Sequence, residues 1–332
     1  MGVAMIINKC VLWIIVVGSA TLWSRQSAVT YTFSGGRLGD NLIALMHAEW
    51  ISYKHDIPLR YKSFPYSDQL SVHELRAHYN EGEFSSVVEL KKNEFLTIDK
   101  NAGILYVIPY FPESLEEHRI TEFDPVAGAI KSKQYPFFAV DWEDKTFKKR
   151  LQDIFAPRFP LTLVTPPEGH LSIAVQVRRN SGGFDLPLIQ GRTEYDPQAI
   201  YVDRVFPLKH PPHDYYIQQI KTLLNLFPDK PVYIFLFTDD PDPKSIADMY
   251  FESINNGRVI IDYRRTENNH YSNVLEDFFS MVGFDCLIRP DSNLSIALSK
   301  LGNFKALIVP ITHRWEGTKL IIEKVSVLMQ QH

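Results

Sequence analysis

Leu171-Ser172-Ile173-Ala174-Val175-Gln176-Val177-Arg178-Arg179-Asn180-Ser181-Gly182-Gly183 is the stretch on which the fold turns. Its first seven residues pass from alternating to continuous apolar character, the pattern of a strand buried inside a sheet. Two arginines stand where the strand ends, and glycines follow. In open parallel sheets ligands collect beyond the carboxyl ends of strands. Paired guanidinium groups are costly there unless they meet anions, and a guanidinium grips phosphate through two parallel hydrogen bonds. Surface or interdomain salt bridges are the competing explanation.

Outward from this strand, the second half of the chain alternates strand and helix. Helices are expected at 214–227, 245–254, 272–282 and 294–301. Strands are expected at 232–237, 258–262, 286–289 and 306–310. A last helix is expected over Lys319–Met329, and 192–212 reads as a long functional loop rich in proline. Val232–Phe237 is continuously apolar, which suits a central strand. The first half is less regular but opens on the same unit: a β-rich run over Ala28–Phe33, a turn at Gly35-Gly36, and a helix beginning near Asp40. Short strands are expected at 59–61 and 104–110, and an amphipathic helix over 145–155. Pro157, Pro160, Pro166 and Pro167 punctuate the middle and suggest a boundary. The expected fold is α/β, with two Rossmann-like domains facing a cleft, over residues 28–165 and 166–332.

Composition limits the alternatives. The 332 residues suit two domains, and 45% hydrophobic with 22% charged residues is an ordinary globular balance. A net charge of −4 without a basic face gives no reason to expect nucleic acid. Cys10 and Cys286 are the two cysteines, and no Cys/His cluster suggests a metal. Residues 1–27 form a separate segment in which Lys9 precedes an apolar run, Cys10–Ala20. That run is shorter than the roughly 20 residues that span a bilayer. A signal peptide, an uncleaved signal-anchor and a buried element of the first domain are its three readings. The first two imply export or membrane association through residues 10–23; the third is compatible with the cytoplasm. Ile6 stands where a myristoylation signal needs Ser or Thr.

Three more strand ends carry chemistry. Gly35-Gly36-Arg37-Leu38-Gly39-Asp40-Asn41 offers a tight turn before a helix N-terminus, which favours anions, although Asp40 as a helix cap explains it equally. Thr238-Asp239-Asp240 brings carboxylates to a cleft edge, as ribose or base contacts or as a cap. Arg289-Pro290-Asp291-Ser292-Asn293-Leu294-Ser295 brings hydroxyls and amides suited to a diphosphate, or again a cap. No Walker A lysine motif and no dinucleotide glycine fingerprint is present, so a diphosphate ligand other than ATP or NAD fits better.

The sequence resembles the α1,2-/α1,6-/protein O-fucosyltransferase superfamily, and within it the bacterial α1,2-fucosyltransferase-like pattern. Gly36–Leu42 is similar to the GRLGNQL opening, and Val175–Arg179 to the VHVRR part of the HxRRGD motif. Ile234–Asp240 is similar to FxFSDD, and Asp277–Ser295 to DLYLMS…SNSTFS, with the spacing from Asp277 to Ser292 and Ser295 kept. The four occur in the same order, between about residues 31 and 302. The resemblance implies a GT-B-like, inverting glycosyltransferase that uses GDP-fucose, without an obligatory metal or further cofactor, acting on a glycan or glycoconjugate hydroxyl. It implies that Arg178 holds the β-phosphate and leaving oxygen, that Asp277 contacts guanine, that Ser292 and Ser295 surround the diphosphate, and that Asp239 lies near the nucleoside. Gly36, Arg37, Gly39, Arg179 and Asn293 complete the expected donor site. Asp40 is the candidate general base.

Departures from the pattern are specific. Gln176 replaces the motif histidine, and Asn180-Ser181 the Gly-Asp after the arginines. Asn293 stands where Thr is frequent, Ile296-Ala297 replace a tryptophan pair, and Asp40 replaces an asparagine. Two alternatives follow: a transferase using another nucleotide sugar, and a catalytically degenerate protein that binds nucleotide or glycan.

Overall fold

A computed structural model of the chain describes residues 26–91, 97–113, 139–179, 206–268, 271–317 and 319–329. The apolar run of residues 10–20, Asn180-Ser181 and most of the 192–212 loop lie outside them. Among the described residues no helix is long and apolar enough to cross a membrane.

The first sheet has three parallel strands, β1 (Ala28–Tyr31), β2 (Ser86–Glu89) and β3 (Ile104–Ile108), in the order β1-β3-β2. Helix α1 (Leu38–His55) follows β1, a single turn α2 (Val72–Leu75) comes before β2, and α3 (Lys145–Phe155) lies after β3. Residues 59–61, expected as a strand, make only isolated bridges to Val29 and His78.

The second sheet has six strands: β4 (Leu171–Val177), β5 (Val232–Thr238), β6 (Val259–Tyr263), β7 (Cys286–Ile288), β8 (Ala306–Glu316) and β9 (Lys319–Met329), in the order β6-β5-β4-β7-β8-β9. All pairs are parallel except β8 with β9. Helices α4 (His213–Leu226), α5 (Pro243–Ile254), α6 (Val274–Val282) and α7 (Asn293–Leu301) connect the parallel strands. From β4 the chain winds outward through β5 and β6, then returns to place β7 on β4's other side. The strand order therefore reverses between β4 and β7, which is where doubly wound sheets open a crevice for ligands.

Side chains alternate across this sheet with the period of two expected of strands. Ile173, Val175 and Val177 of β4, with Ile234 and Leu236 of β5, pack beneath α4 and α5 against Tyr216, Ile220, Leu223 and Tyr250. Tyr233, Phe235 and Phe237 point the other way. They join a larger core with α1, α3, α6 and α7, which also takes Tyr31, Tyr106 and Ile108 from the first sheet. One continuous apolar core therefore connects the two sheets. Helix α1 is buried along its length, and its Glu49 is fully buried between Arg76 and Arg150, which both donate to it. A buried carboxylate needs such partners.

The C-terminus corrects the sequence reading. Lys319–Met329 is a strand, not a helix, and β8 continues past Pro310 to Glu316. Gly317 adopts φ 61°, which turns the chain back on itself. Ile321, Ile322, Val325 and Val327 then supply a β-branched run that suits a strand. Pro310 is tolerated because the ladder shifts register between Pro310 and Thr312.

Candidate active site

A cavity of about 490 Å³ opens at the β4/β7 switch point. All four strand ends singled out in the sequence contribute to its wall: Gly36–Asp40, Gln176–Arg178, Thr238-Asp239 and Ser292–Leu294, together with Asp277.

The first wall comes from the turn after β1. Gly35 sits at φ 85°, and the Gly36 amide donates to Ser34 Oγ at 3.0 Å. Asp40 is not the helix cap. Helix α1 begins at Leu38 with Arg37 in the cap position and no side-chain cap bond, so Asp40 lies in the first turn. Its Oδ1 accepts from Tyr110 Oη and from Asn293 Nδ2, both at 2.9 Å. A Cβ on Gly36 would fall 2.4 Å from the Asp40 carboxylate carbon, and one on Gly39 only 2.3 Å from the backbone nitrogen of Leu294. Both glycines line the cavity, and their bareness lets Asp40 fold against the turn and α1 approach α7.

The second wall is the end of β4. Gln176 and Arg178 share a strand face and line the cavity. Arg179, also expected as a donor contact, does not line it. Its amide donates to Asp239 Oδ1 at 2.7 Å. Its side chain lies near His213, whose pKa falls to about 4 through burial and the Arg179 charge. Asp239 thus braces the arginine turn, and the cap of α5 is Asp242, which accepts from the Ser245 amide at 3.1 Å.

The third wall is the β7–α7 connection. The Asp291 amide donates to Leu208 O at 2.8 Å, and Tyr215 Oη donates to Arg289 O at 3.0 Å. Ser292 occupies the cap position of α7 without a side-chain cap bond, and Ser292, Asn293 and Leu294 line the cavity. The N-termini of α1 and α7 therefore converge here, and both favour negative charge. Ser295, expected beside the diphosphate, does not line the cavity. It is fully buried, its Oγ donates to Ser292 O at 2.9 Å, and it lies behind the wall it was expected to form.

Asp277 also lines the cavity. Arg264 Nη2 donates to its Oδ1 at 2.5 Å. Burial raises its pKa, and Arg264 opposes that rise. Two further lining residues meet each other: Tyr66, in the left-handed region (φ 69°), donates from its hydroxyl to Tyr271 O at 3.1 Å. Lys209 lies 4.1 Å from the Phe206 ring centre, and both line the cavity. Among the described residues no group of three His, Cys, Asp or Glu could hold a metal ion.

Sequence reasoning missed Tyr110, Tyr66, Phe206, Lys209 and Tyr271. Tyr110 follows β3 and was within reach of the strand-end rule. The others sit in loops whose course no local pattern fixes.

No protein-family model matches the sequence, and no curated protein sequence matches it. Among solved structures, the chain is similar to a mutant of Arabidopsis thaliana FUT1 in complex with GDP: TM-score 0.41, 12% identity, covering 90% of this chain and 73% of that one. A second is a NodZ alpha-1,6-fucosyltransferase soaked with GDP-fucose, with TM-score 0.38 and 12% identity over 92% of this chain and 100% of that one. A third is fucosyltransferase NodZ from Bradyrhizobium, at TM-score 0.32 and 14% identity, covering 86% of this chain and 96% of that one.

Proposed function

We propose that the protein is an inverting, metal-independent glycosyltransferase that moves fucose from GDP-fucose to a hydroxyl of a glycan or glycoconjugate. The observation that carries this reading is the meeting of four ordered, family-like segments in one cavity at the switch point, with Arg178 in its wall. Two helix N-termini and a guanidinium suit a diphosphate. Asp277, in the same cavity wall, suits the N–H edge of guanine.

In this reading the acceptor hydroxyl attacks the anomeric carbon as the bond to the diphosphate breaks. Arg178 stabilises the charge that develops on the leaving phosphate oxygen. Asp40 takes the acceptor's proton, its carboxylate held in place by Tyr110 and Asn293. The Arg264–Asp277 ion pair favours a second reading, in which another nucleotide sugar is used, because it occupies one of the oxygens proposed for guanine.

A thermal-shift series with GDP, UDP, ADP and CDP tests the reading. Stabilisation by GDP above the others is the expected result. Turnover of GDP-fucose, including its hydrolysis by water, then separates an enzyme from a binding protein. Absence of any nucleotide effect removes the proposal.

A further inference from the structure

Two side-chain amides in the cavity wall carry an unmet hydrogen-bonding requirement. Asn293 is 6% exposed and lines the cavity. Its Nδ2 donates to Asp40 Oδ1 at 2.9 Å and to Tyr110 Oη at 3.2 Å. Chemistry fixes this orientation, because a carboxylate accepts only and must be offered the NH₂ end of the amide. Asn293 Oδ1 therefore faces away from Asp40, and it is buried without a hydrogen-bond partner. Gln176 Oε1 is likewise buried without a partner, and Gln176 lines the same cavity from the end of the adjacent strand.

A buried carbonyl left unpaired has lost its water without gaining the bond that would offset the loss. Two of them in one cavity call for a ligand that brings hydrogen-bond donors. Carbonyl oxygens repel phosphate, so neither serves the diphosphate itself. An apolar ligand would leave both unpaired. A polyhydroxylated ring satisfies them. Its place follows from the strand: Gln176 and Arg178 project to the same side of β4. In the reading above Arg178 holds the β-phosphate and the leaving oxygen, and the group bonded to the β-phosphate is the glycosyl unit, which therefore lies beside Arg178.

We infer that Gln176 and Asn293 accept hydrogen bonds from hydroxyls of the donor's glycosyl unit, and that these two amides select which sugar the site takes. This rests on the nucleotide-sugar reading above. It assigns Asn293 two tasks, one per end of its amide: Nδ2 positions Asp40, and Oδ1 reads the sugar.

The test is calorimetric titration of the full chain, the Gln176→Leu variant and the Asn293→Ser variant with GDP and with GDP-fucose, after thermal unfolding has confirmed that each variant folds. The quantity read is the ratio of GDP-fucose affinity to GDP affinity, which a general loss of structure does not move. In both variants GDP binding persists and the ratio falls at least about 5-fold, the equivalent of one hydrogen bond. In the Gln176→Leu variant, discrimination between GDP-fucose and GDP-mannose also narrows. An unchanged ratio in both variants overturns the inference, as does an equal loss of GDP and GDP-fucose. Should the wild-type chain bind UDP and not GDP, the GDP reading fails alone, and the amides are judged by the same ratio with UDP-galactose over UDP. Should it bind no nucleotide, both fall together.

Discussion

Asn293 Nδ2 donates to Asp40 Oδ1 across 2.9 Å and joins residues 253 positions apart in the chain. Tyr110 Oη donates to the same oxygen at 2.9 Å. Both donors lean on Oδ1, so Oδ2 is the oxygen suited to take an acceptor's proton. Asp40→Asn keeps the shape and removes the basicity. It is expected to lower kcat by about 10²- to 10⁴-fold, the usual contribution of a general base. GDP affinity should change little. Steady-state kinetics beside a GDP titration check this, and a variant with wild-type turnover excludes Asp40 as the base.

Arg178 should matter for the diphosphate through its fork as well as its charge. Arg178→Lys keeps the charge and loses the paired geometry. We expect GDP to bind about 10-fold more weakly in Arg178→Lys. In Arg178→Ala the loss should reach about 10²-fold, in line with the 2–5 kcal/mol typical of truncating one partner of a buried charged pair. Calorimetry with GDP and circular dichroism for folding decide the matter. Unchanged affinity in a folded Arg178→Ala variant removes the phosphate role.

Gly39 predicts a stability defect with a functional tail. An added methyl would lie 2.3 Å from Leu294 N and 2.6 Å from Asn293 C, both backbone atoms that cannot rotate aside. Gly39→Ala should destabilise the chain by about 3 kcal/mol, the upper end of ordinary overpacking. Urea unfolding measures it. Because the clash pushes on Asn293, turnover should fall more than GDP binding does.

Asp277 gives a pH dependence. Burial raises its pKa, with Arg264 opposing. A guanine N–H needs the ionised carboxylate, so GDP affinity should fall on acidification at a pH above the ordinary aspartate value of 3.8. The sign for stability is opposite. A carboxyl with a raised folded pKa takes its proton more readily in the folded chain, so acidification through that pKa adds stability from this group. Titrations from pH 7 downward should therefore show binding lost while the fold still holds. A loss of GDP binding that only parallels unfolding contradicts this.

The second sheet was legible in the sequence because its parallel strands are short apolar runs, and β4, β5, β6 and β7 each have a helix after them. Val232–Phe237 could be read as central from its unbroken apolarity, and β5 indeed lies between β4 and β6. The strand order was not legible. Nothing local in Cys286–Ile288 says that β7 returns to β4's free side, yet that return creates the cavity. Arg178 and Arg179 look equivalent in sequence, but adjacent residues leave a strand end on opposite sides, and only Arg178 lines the cavity. Ser292 and Ser295 look alike in sequence, but the offset of Ser295 within α7 points it back toward Pro290 and Ser292. Lys319–Met329 was misread because its apolar positions fit both periods, and the hairpin at Gly317 is what selects the strand.

The contact of Gly39 with Leu294 gives the molecule a fulcrum. Where two helical backbones meet with no side chain between them, they can pivot but can hardly slide. Any movement of one helix against the other would then be small at that point and grow with distance from it. Asp40 and Asn293, for which the chemistry is proposed, are neighbours in sequence of the two residues that meet there.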